Sequence, residues 1–223
     1  MWALVPVKNL LQAKQRLSGV LSPDERRKLF RAMLEDVLTV LGNHPQLDDV
    51  LLVSDDPTAQ LLAKYHRVAY LPESQLNVRG LNDVVQAAVD YLGTLGVSEV
   101  MVVHGDLPMI DGKEVSRLID AHGKGDPSTV TLVPDRRGQG SNCIICRPGS
   151  GFRFCYGDNS LMLHRKAAAA IGASFNSVVL TGIGCDIDWP EDLLHLVEQV
   201  RESRAENTVR YLQEGSLMEG LKP

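Results

Sequence analysis

The stretch Val100-Met-Val-Val103 leaves a chain few choices. Four apolar residues in a row, mostly β-branched, offer no polar position for a solvated strand face. Such a run suits the inside of a parallel sheet covered on both faces. Gly105 and Pro108 stop it, and Asp106 stands where it gives out. Open α/β sheets bind ligands beyond the carboxyl ends of their strands. An aspartate there either starts a turn or offers oxygen to a hard divalent cation such as Mg2+.

The rest of the chain repeats this grammar. Trp2 to Val7 and Val50 to Val53 read as strands of the same kind, and Val68 to Leu71 as a shorter one. Between them, Ser22-Pro-Asp-Glu25 forms a capping box, and the apolar positions from Leu29 to Leu41 recur at helical spacing. Asp56-Pro57 opens a second helix to about His66, and Leu81 to Leu95 a third. Asp111-Gly-Lys-Glu114 reads as another capping box. Strands are expected at Thr129 to Val133, Asn142 to Cys146 and Ser177 to Leu180. Helices are expected from Ser160 to about Ile171 and from Pro190 to about Ser203. Alternating strands and helices argue for an α/β fold with a parallel sheet covered on both faces. One domain over residues 1–223 is expected, with a charged segment from about 205 that is helical and then loose.

Composition narrows the function. A formal net charge of -5 argues against bulk attraction to nucleic acid. No apolar run reaches the roughly 18 to 20 residues of a membrane span. Met1 to Val7 breaks at Pro6 and Lys8 and lacks a basic start, so the expected compartment is the cytoplasm. Cys143 and Cys146 form a lone C-x-x-C in an apolar stretch. With no second pair or nearby histidines, they read as small hydrophobes.

Three constellations carry chemistry. Asp186-Ile-Asp188 puts two carboxylates on one side of an extended segment. If that segment lies beside Asp106, three carboxylates converge, and Mg2+ or Mn2+ would offset their repulsion. The plainer alternative is that Asp188 caps the helix opening at Pro190. Lys8, Lys14 and Arg16 follow the first strand, where phosphate binders sit, though any one of them would pass for a solvated charge. Gly157 to Ser160 begins a helix, whose free amides favour an anion, or Asp158 or Asn159 simply caps it. There is no G-x-S-x-G, Walker loop or G-x-G-x-x-G.

Taken together, Val5-Pro-Val-Lys8, Ala13-Lys14-x-Arg16-Leu17, Gly80-Leu81-Asn82, Gly105-Asp106-Leu-Pro108, Asp135-Arg136, Gly140-Ser141-Asn142, Phe154-x-Tyr156-Gly157-x-x-Ser160-x-x-x-His164 and Asp186-Ile-Asp188 resemble the 2-phospho-L-lactate guanylyltransferase family. The resemblance covers nearly the whole chain. It implies a Rossmann-like α/β fold of the nucleotide-diphospho-sugar transferase type, with a mixed, mainly parallel sheet flanked by helices, and GTP and a small phospho-carboxylic acid as substrates. That acid would be 2-phospholactate, phosphoenolpyruvate or 3-phosphoglycerate. Its guanylylated product would feed coenzyme F420 biosynthesis, with a downstream transferase as a candidate partner.

By the same resemblance Asp106, Asp186 and Asp188 would hold the metal ions. Lys8, Lys14 and Arg16 would face the triphosphate, with Lys8, Lys14 and Asp106 the catalytic set. Gly80, Leu81 and Asn82 would lie along the nucleotide. Ser141, Gly157 and Ser160 would hold the acid. The chain departs from the family at Ser141, where threonine is common, at Trp189, and at His104. A glycosyltransferase, a molybdopterin guanylyltransferase-like enzyme and a silent scaffold are the competing readings. The first would usually carry D-x-D after the central strand, where this chain reads Asp106-Leu-Pro-Met. The second would carry a glycine-rich loop after the first strand, which is missing. The scaffold would bind no metal.

Overall fold

The computed structural model describes residues 1–8, 10, 14–123, 128–199 and 205–214. Its strands are β1 (Trp2–Pro6), β2 (Asp49–Val53), β3 (Ala69–Leu71), β4 (Val100–Val103), β5 (Val130–Pro134), β6 (Ser141–Cys146) and β7 (Phe175–Ser177). They form one sheet in the order β3-β2-β1-β4-β6-β5-β7. β1, β2, β3 and β4 are parallel neighbours, as are β5 and β7, while β6 runs against both β4 and β5. The expected mixed, mainly parallel sheet is therefore what forms.

Among the described residues seven α-helices accompany it: α1 (Pro23–Gly42), α2 (Pro57–His66), α3 (Leu81–Thr94), α4 (Gly112–Gly123), α5 (Ser160–Ala170), α6 (Pro190–Gln199) and α7 (Glu206–Glu214). Strand side chains alternate between two cores. Val5, Leu52, Met101 and Ile145 join the side packed with α1, α2 and α4. Leu4, Leu51, Val102 and Ile144 join the side packed with α3 and α5. Burial on both faces explains the unbroken apolar runs. It also separates Cys143 from Cys146, which lie in opposite cores and cannot share a ligand. Burial pushes the Cys146 thiol up to about 12.

The capping box at Ser22 is present, with the Glu25 amide donating to Ser22 Oγ at 3.3 Å and the Ser22 amide to Glu25 Oε2 at 2.7 Å. The one expected at Asp111 is only half made. Asp111 accepts from the Lys113 amide at 2.6 Å, but Glu114 turns away to the amides of Gly182 and Ile183 at 2.9–3.0 Å. The strand expected at Ser177 to Leu180 lies earlier, at Phe175–Ser177. After Ser177 the chain leaves the sheet, and Leu180 goes into the core rather than along a ladder. The expected loose end beyond residue 214, the helical residues beyond Gln199 and Ala13 of the basic loop lie outside the described residues.

α7 is docked on α1 by a contact that no local pattern announces. Asp36 is 3% exposed and accepts from the Asn207 and Thr208 amides, from Asn207 Nδ2 and from Thr208 Oγ1, at 2.6–2.9 Å. A carboxylate thus caps the first turn of α7 from another helix. Asp36→Ala should cost about 2–4 kcal/mol, since hydrogen bonds to a charged group are involved and four donors lose their acceptor. Urea unfolding measures it. An unchanged midpoint would show that α7 holds on by apolar contact alone.

Candidate active site

β1 and β4 are adjacent and end at the same edge, so the loop after one faces Asp106 after the other. Gly105 is closely packed there: a Cβ would stand 3.1 Å from Leu34 and 3.4 Å from Phe30 on α1, so these side chains would have to give way by a few tenths of an ångström. Lys14 sits in the left-handed region at φ 55 and opens a short 3-10 turn, Gln15–Leu17. That conformation is unfavourable for a side chain with a Cβ. It places the ammonium between two carboxylates. Lys14 Nζ bonds Asp106 Oδ2 and lies 2.8 Å from Asp188 Oδ1, and Arg16 Nη1 lies 2.9 Å from Asp188 Oδ2. Burial opposes the charge on Lys14, but Asp106 and Asp188 outweigh it and hold the group above its usual range. Burial likewise opposes ionisation of Asp106, and Lys14 overcomes it and holds the carboxyl below the usual range.

The two acidic segments converge as expected, and specific bonds make them do so. The Ile187 amide donates to the Asp106 carbonyl at 3.3 Å. Asn142 Nδ2 at the start of β6 donates to the Ile183 carbonyl at 3.0 Å and to Asp186 Oδ1 at 3.2 Å. Glu114 holds the same loop from the other side. Gly182 has no room for a side chain, since a Cβ would fall 2.2 Å from the Met109 carbonyl oxygen. Burial, and the negative charge of Asp106, push Asp186 up to about 6. Asp188 does not cap α6. Its carboxylate faces Lys14 and Arg16, and Asp192 instead accepts from the Asp188 and Trp189 amides at 3.0 and 2.8 Å.

A divalent cation fits this set. Asp106 Oδ1 is buried with no hydrogen-bond partner, which a buried carboxylate oxygen does not leave without reason. The donors are carboxylate oxygens, as Mg2+ requires. Among the described residues, however, no three acidic, histidine or cysteine side chains already form a closed metal cluster. Lys14 stands between two of the three aspartates, as a cation within the protein.

Two cavities open on this cluster. One of about 650 Å3 is bounded by Lys8, Lys14, Arg16, Phe30, Leu81 and Asp106. The other, about 260 Å3, is bounded by Ser141, Asn142, Tyr156, Gly157, Ser160 and Asp186. Lys8, Leu81 and the three aspartates are thus brought together as the sequence suggests, with Lys8 exposed and Lys14 buried. Gly80, exposed at φ 88, is the N-cap residue of α3 just before Leu81. Asn82, next to Leu81, clasps the Tyr156 backbone with one donor and one acceptor of its amide, Oδ1 accepting from the nitrogen at 2.6 Å and Nδ2 donating to the oxygen at 3.2 Å.

The start of α5 does not offer the free amides expected of it. Ser160 donates to the Gly157 carbonyl, Leu161 to Gln139, and Met162 and Leu163 to Asn159, all at 3.0–3.2 Å. Neither Asp158 nor Asn159 caps it by side chain: Asn159, the N-cap, is left-handed at φ 56 and makes no side-chain cap bond. What the second cavity keeps is a hydroxyl pair, Ser160 Oγ to Ser141 Oγ at 3.1 Å. Behind them, His164 places Nδ1 3.0 Å from Ser141 Oγ and Nε2 2.8 Å from the Cys155 amide. Two further residues show their role only in three dimensions. The guanidinium groups of Arg16 and Arg137 both lie over the Trp189 ring, at 4.9 and 5.5 Å from its centroid. His104 meets Tyr156 edge to face at 4.9 Å and borders both cavities. Neither aromatic contact follows from spacing, although both residues stand out as departures from the family pattern.

Residues 1–216 match the family described as "Guanylyl transferase CofC like". A phosphoenolpyruvate guanylyltransferase of Conexibacter woesei is 33% identical over 207 residues, 91% of this chain and 90% of that one. A 2-phospho-L-lactate guanylyltransferase of Methanothermobacter thermautotrophicus is 31% identical over 210 residues, 94% of this chain and 90% of that one. Among solved structures, a proposed nucleotide-diphospho-sugar transferase of Desulfovibrio desulfuricans superposes with a TM-score of 0.72 at 17% identity, covering 99% of this chain and 97% of that one. CMP:2-keto-3-deoxy-manno-octonic acid synthetase in complex with CTP gives 0.60 at 13%, covering 90% and 98%. At these identities the structures speak for the fold alone.

The geometry around His164 has a consequence for stability. Burial, with His104 nearby, presses the ring down to about 4, against an ordinary value near 6.5 in the unfolded chain. Between those values the folded state binds fewer protons than the unfolded one. Stability therefore rises with pH through that window and is lost as pH falls toward 4. His164→Asn does not titrate and should lose roughly 1–2 kcal/mol less than wild type between pH 7 and pH 5. Urea unfolding at both pH values decides it, and equal losses would mean that the ring titrates freely.

Proposed function

The chain belongs to the CofC-like guanylyl transferase family, and from that membership we propose that it joins GMP from GTP to a small phospho-carboxylic acid and releases pyrophosphate. It is a nucleotidyltransferase by family. The observation that supports this reading best is the ion-paired cluster of Lys14, Asp106, Asp188 and Arg16 between two cavities, one for each substrate.

In the proposed reaction a phosphate oxygen of the acid attacks the α-phosphorus of GTP. A new P–O bond forms there as the bond to the β-phosphate bridge breaks. Pyrophosphate leaves with the electron pair. The attacking oxygen is already largely ionised at neutral pH, since the second phosphate pKa is about 6, so no strong base is needed. Lys8, Lys14 and Arg16 would face the triphosphate and neutralise charge that shifts toward the leaving group. Gly80 and Leu81 would lie along the nucleotide, and Asn82 would act by holding Tyr156 in place. Ser141, Gly157 and Ser160 would orient the acid so that its oxygen lies in line. Asp106, Asp186 and Asp188 would hold Mg2+ or Mn2+, which supplies further charge neutralisation at phosphate oxygens.

Asp186→Asn and Asp188→Asn should abolish turnover while the fold survives, and wild-type rates from either at saturating Mg2+ would sink the assignment. Lys14→Ala should slow turnover and weaken GTP binding by roughly tenfold or more, the loss of a charge-assisted contact. Incubation with GTP, Mg2+ and all three candidate acids together, read by product mass, identifies the acceptor. Ser141 lacks the methyl group of threonine, which leaves room for 3-phosphoglycerate. A product from phosphoenolpyruvate or 2-phospholactate alone would refute that argument.

A further inference from the structure

The hydrogen bonds behind Ser141 fix which way its proton can go. The Cys155 backbone amide can only donate, so His164 Nε2, 2.8 Å away, must be an acceptor and carry no proton. A neutral ring then has its proton on Nδ1, which faces Ser141 Oγ at 3.0 Å. The backbone carbonyl of Ser160 also favours a proton on this ring, and burial keeps the second proton off. Ser141 Oγ thus accepts from His164. It also shares one bond with Ser160 Oγ at 3.1 Å, which consumes one hydroxyl proton of the two. Whichever serine donates to the other, one O–H remains, and the open side of both is the second cavity. Both serines are otherwise buried, at 5% and 3% exposure. Since the first amides of α5 are engaged within the protein, this hydroxyl is a donor the cavity retains.

We propose that His164 is a positioning residue whose Nδ1–H turns the Ser141–Ser160 hydroxyl pair into a fixed donor for an anionic oxygen of the acceptor acid. The ring lies behind the pair and need not touch substrate. Its effect should fall on acid binding and leave the nucleotide cavity alone. This inference rests on the reading of the second cavity as the acid site.

The test has two arms on the full chain. Imidazole 15N NMR, with His164→Asn to assign the signal, should show protonated Nδ1 and bare Nε2 at neutral pH. The opposite tautomer, or an imidazolium, would overturn the proposal whatever the enzyme does. In kinetics, His164→Ala and His164→Gln should raise KM for the acid about tenfold and leave KM for GTP within about twofold. His164→Asn, whose amide can mimic the Nδ1 donor, should recover most of the loss. In a Ser141→Ala background, His164→Ala should add less than about twofold. A full penalty in that background, or an equal rise in KM for GTP, would make His164 merely structural. If the wild type makes no product from any phospho-acid, the proposed function fails, and the tautomer arm still decides the positioning claim.

Discussion

A lysine ammonium held between two carboxylates at the end of a buried parallel strand is the interaction on which the rest of this site depends. Charges taken out of water are costly unless paired and hydrogen-bonded. Here a backbone bond, Ile187 to Asp106, ties the Asp186–Asp188 segment beside Asp106, and the negative charges repel. Lys14 offsets part of that repulsion, at the cost of a left-handed backbone. Arg16 adds a second cation, held over Trp189. Asp186 has no bond to either cation among the described residues, and burial first, then the charge of Asp106, raises its pKa. The cluster is therefore compensated but not saturated, and Asp106 Oδ1 remains unpartnered.

The scaffold is arranged to keep it so. β6 enters antiparallel beside β4, which brings its first residues, Ser141 and Asn142, to the edge where β4 ends. A parallel strand in that place would have presented its last residues instead. Asn142 then ties the Ile183–Asp186 loop down, while Glu114 from α4 holds Gly182 and Ile183 from the far side. The single reversal in strand direction is thus what joins the hydroxyl pair of one cavity to the carboxylates of the other.

Much of this was legible in the sequence. Val100 to Val103 declared a strand buried on both faces, Ser22 to Glu25 a helix start, and the order of segments a mainly parallel sheet. The meeting of Asp106 with Asp186 and Asp188 was legible as a possibility, because a spacing of two puts both carboxylates on one side. What remained hidden were choices made by tertiary partners. Glu114 has the right spacing for a capping box, but two amides of a distant loop outcompete its own helix. Asp188 precedes a proline as a cap residue would, but Lys14 and Arg16 claim its oxygens and Asp192 does the capping. Asn82 reads as a nucleotide contact, and nothing local announces that it also clasps Tyr156. Asp36 gives no local sign that it caps α7. In each case a polar group had two satisfactory local uses, and only the folded neighbourhood selects between them.

The position of Asn82 bears on how the two cavities work together. Leu81, one residue before it, borders both. Asn82 clasps the backbone of Tyr156, which leads directly into Gly157 at the mouth of the second cavity. His104 packs on Tyr156 from the end of β4 and also borders both. The wall between the cavities is therefore a short chain of contacts from α3 through Tyr156 to β4. In a two-substrate reaction whose catalysis is mainly positioning, such a wall sets the distance between the two reacting atoms. A side-chain amide that bonds both the N–H and the carbonyl of one residue holds the two peptide units that flank it, which a single contact would not. This gives Asn82 a physical reason to be asparagine without any bond to the nucleotide.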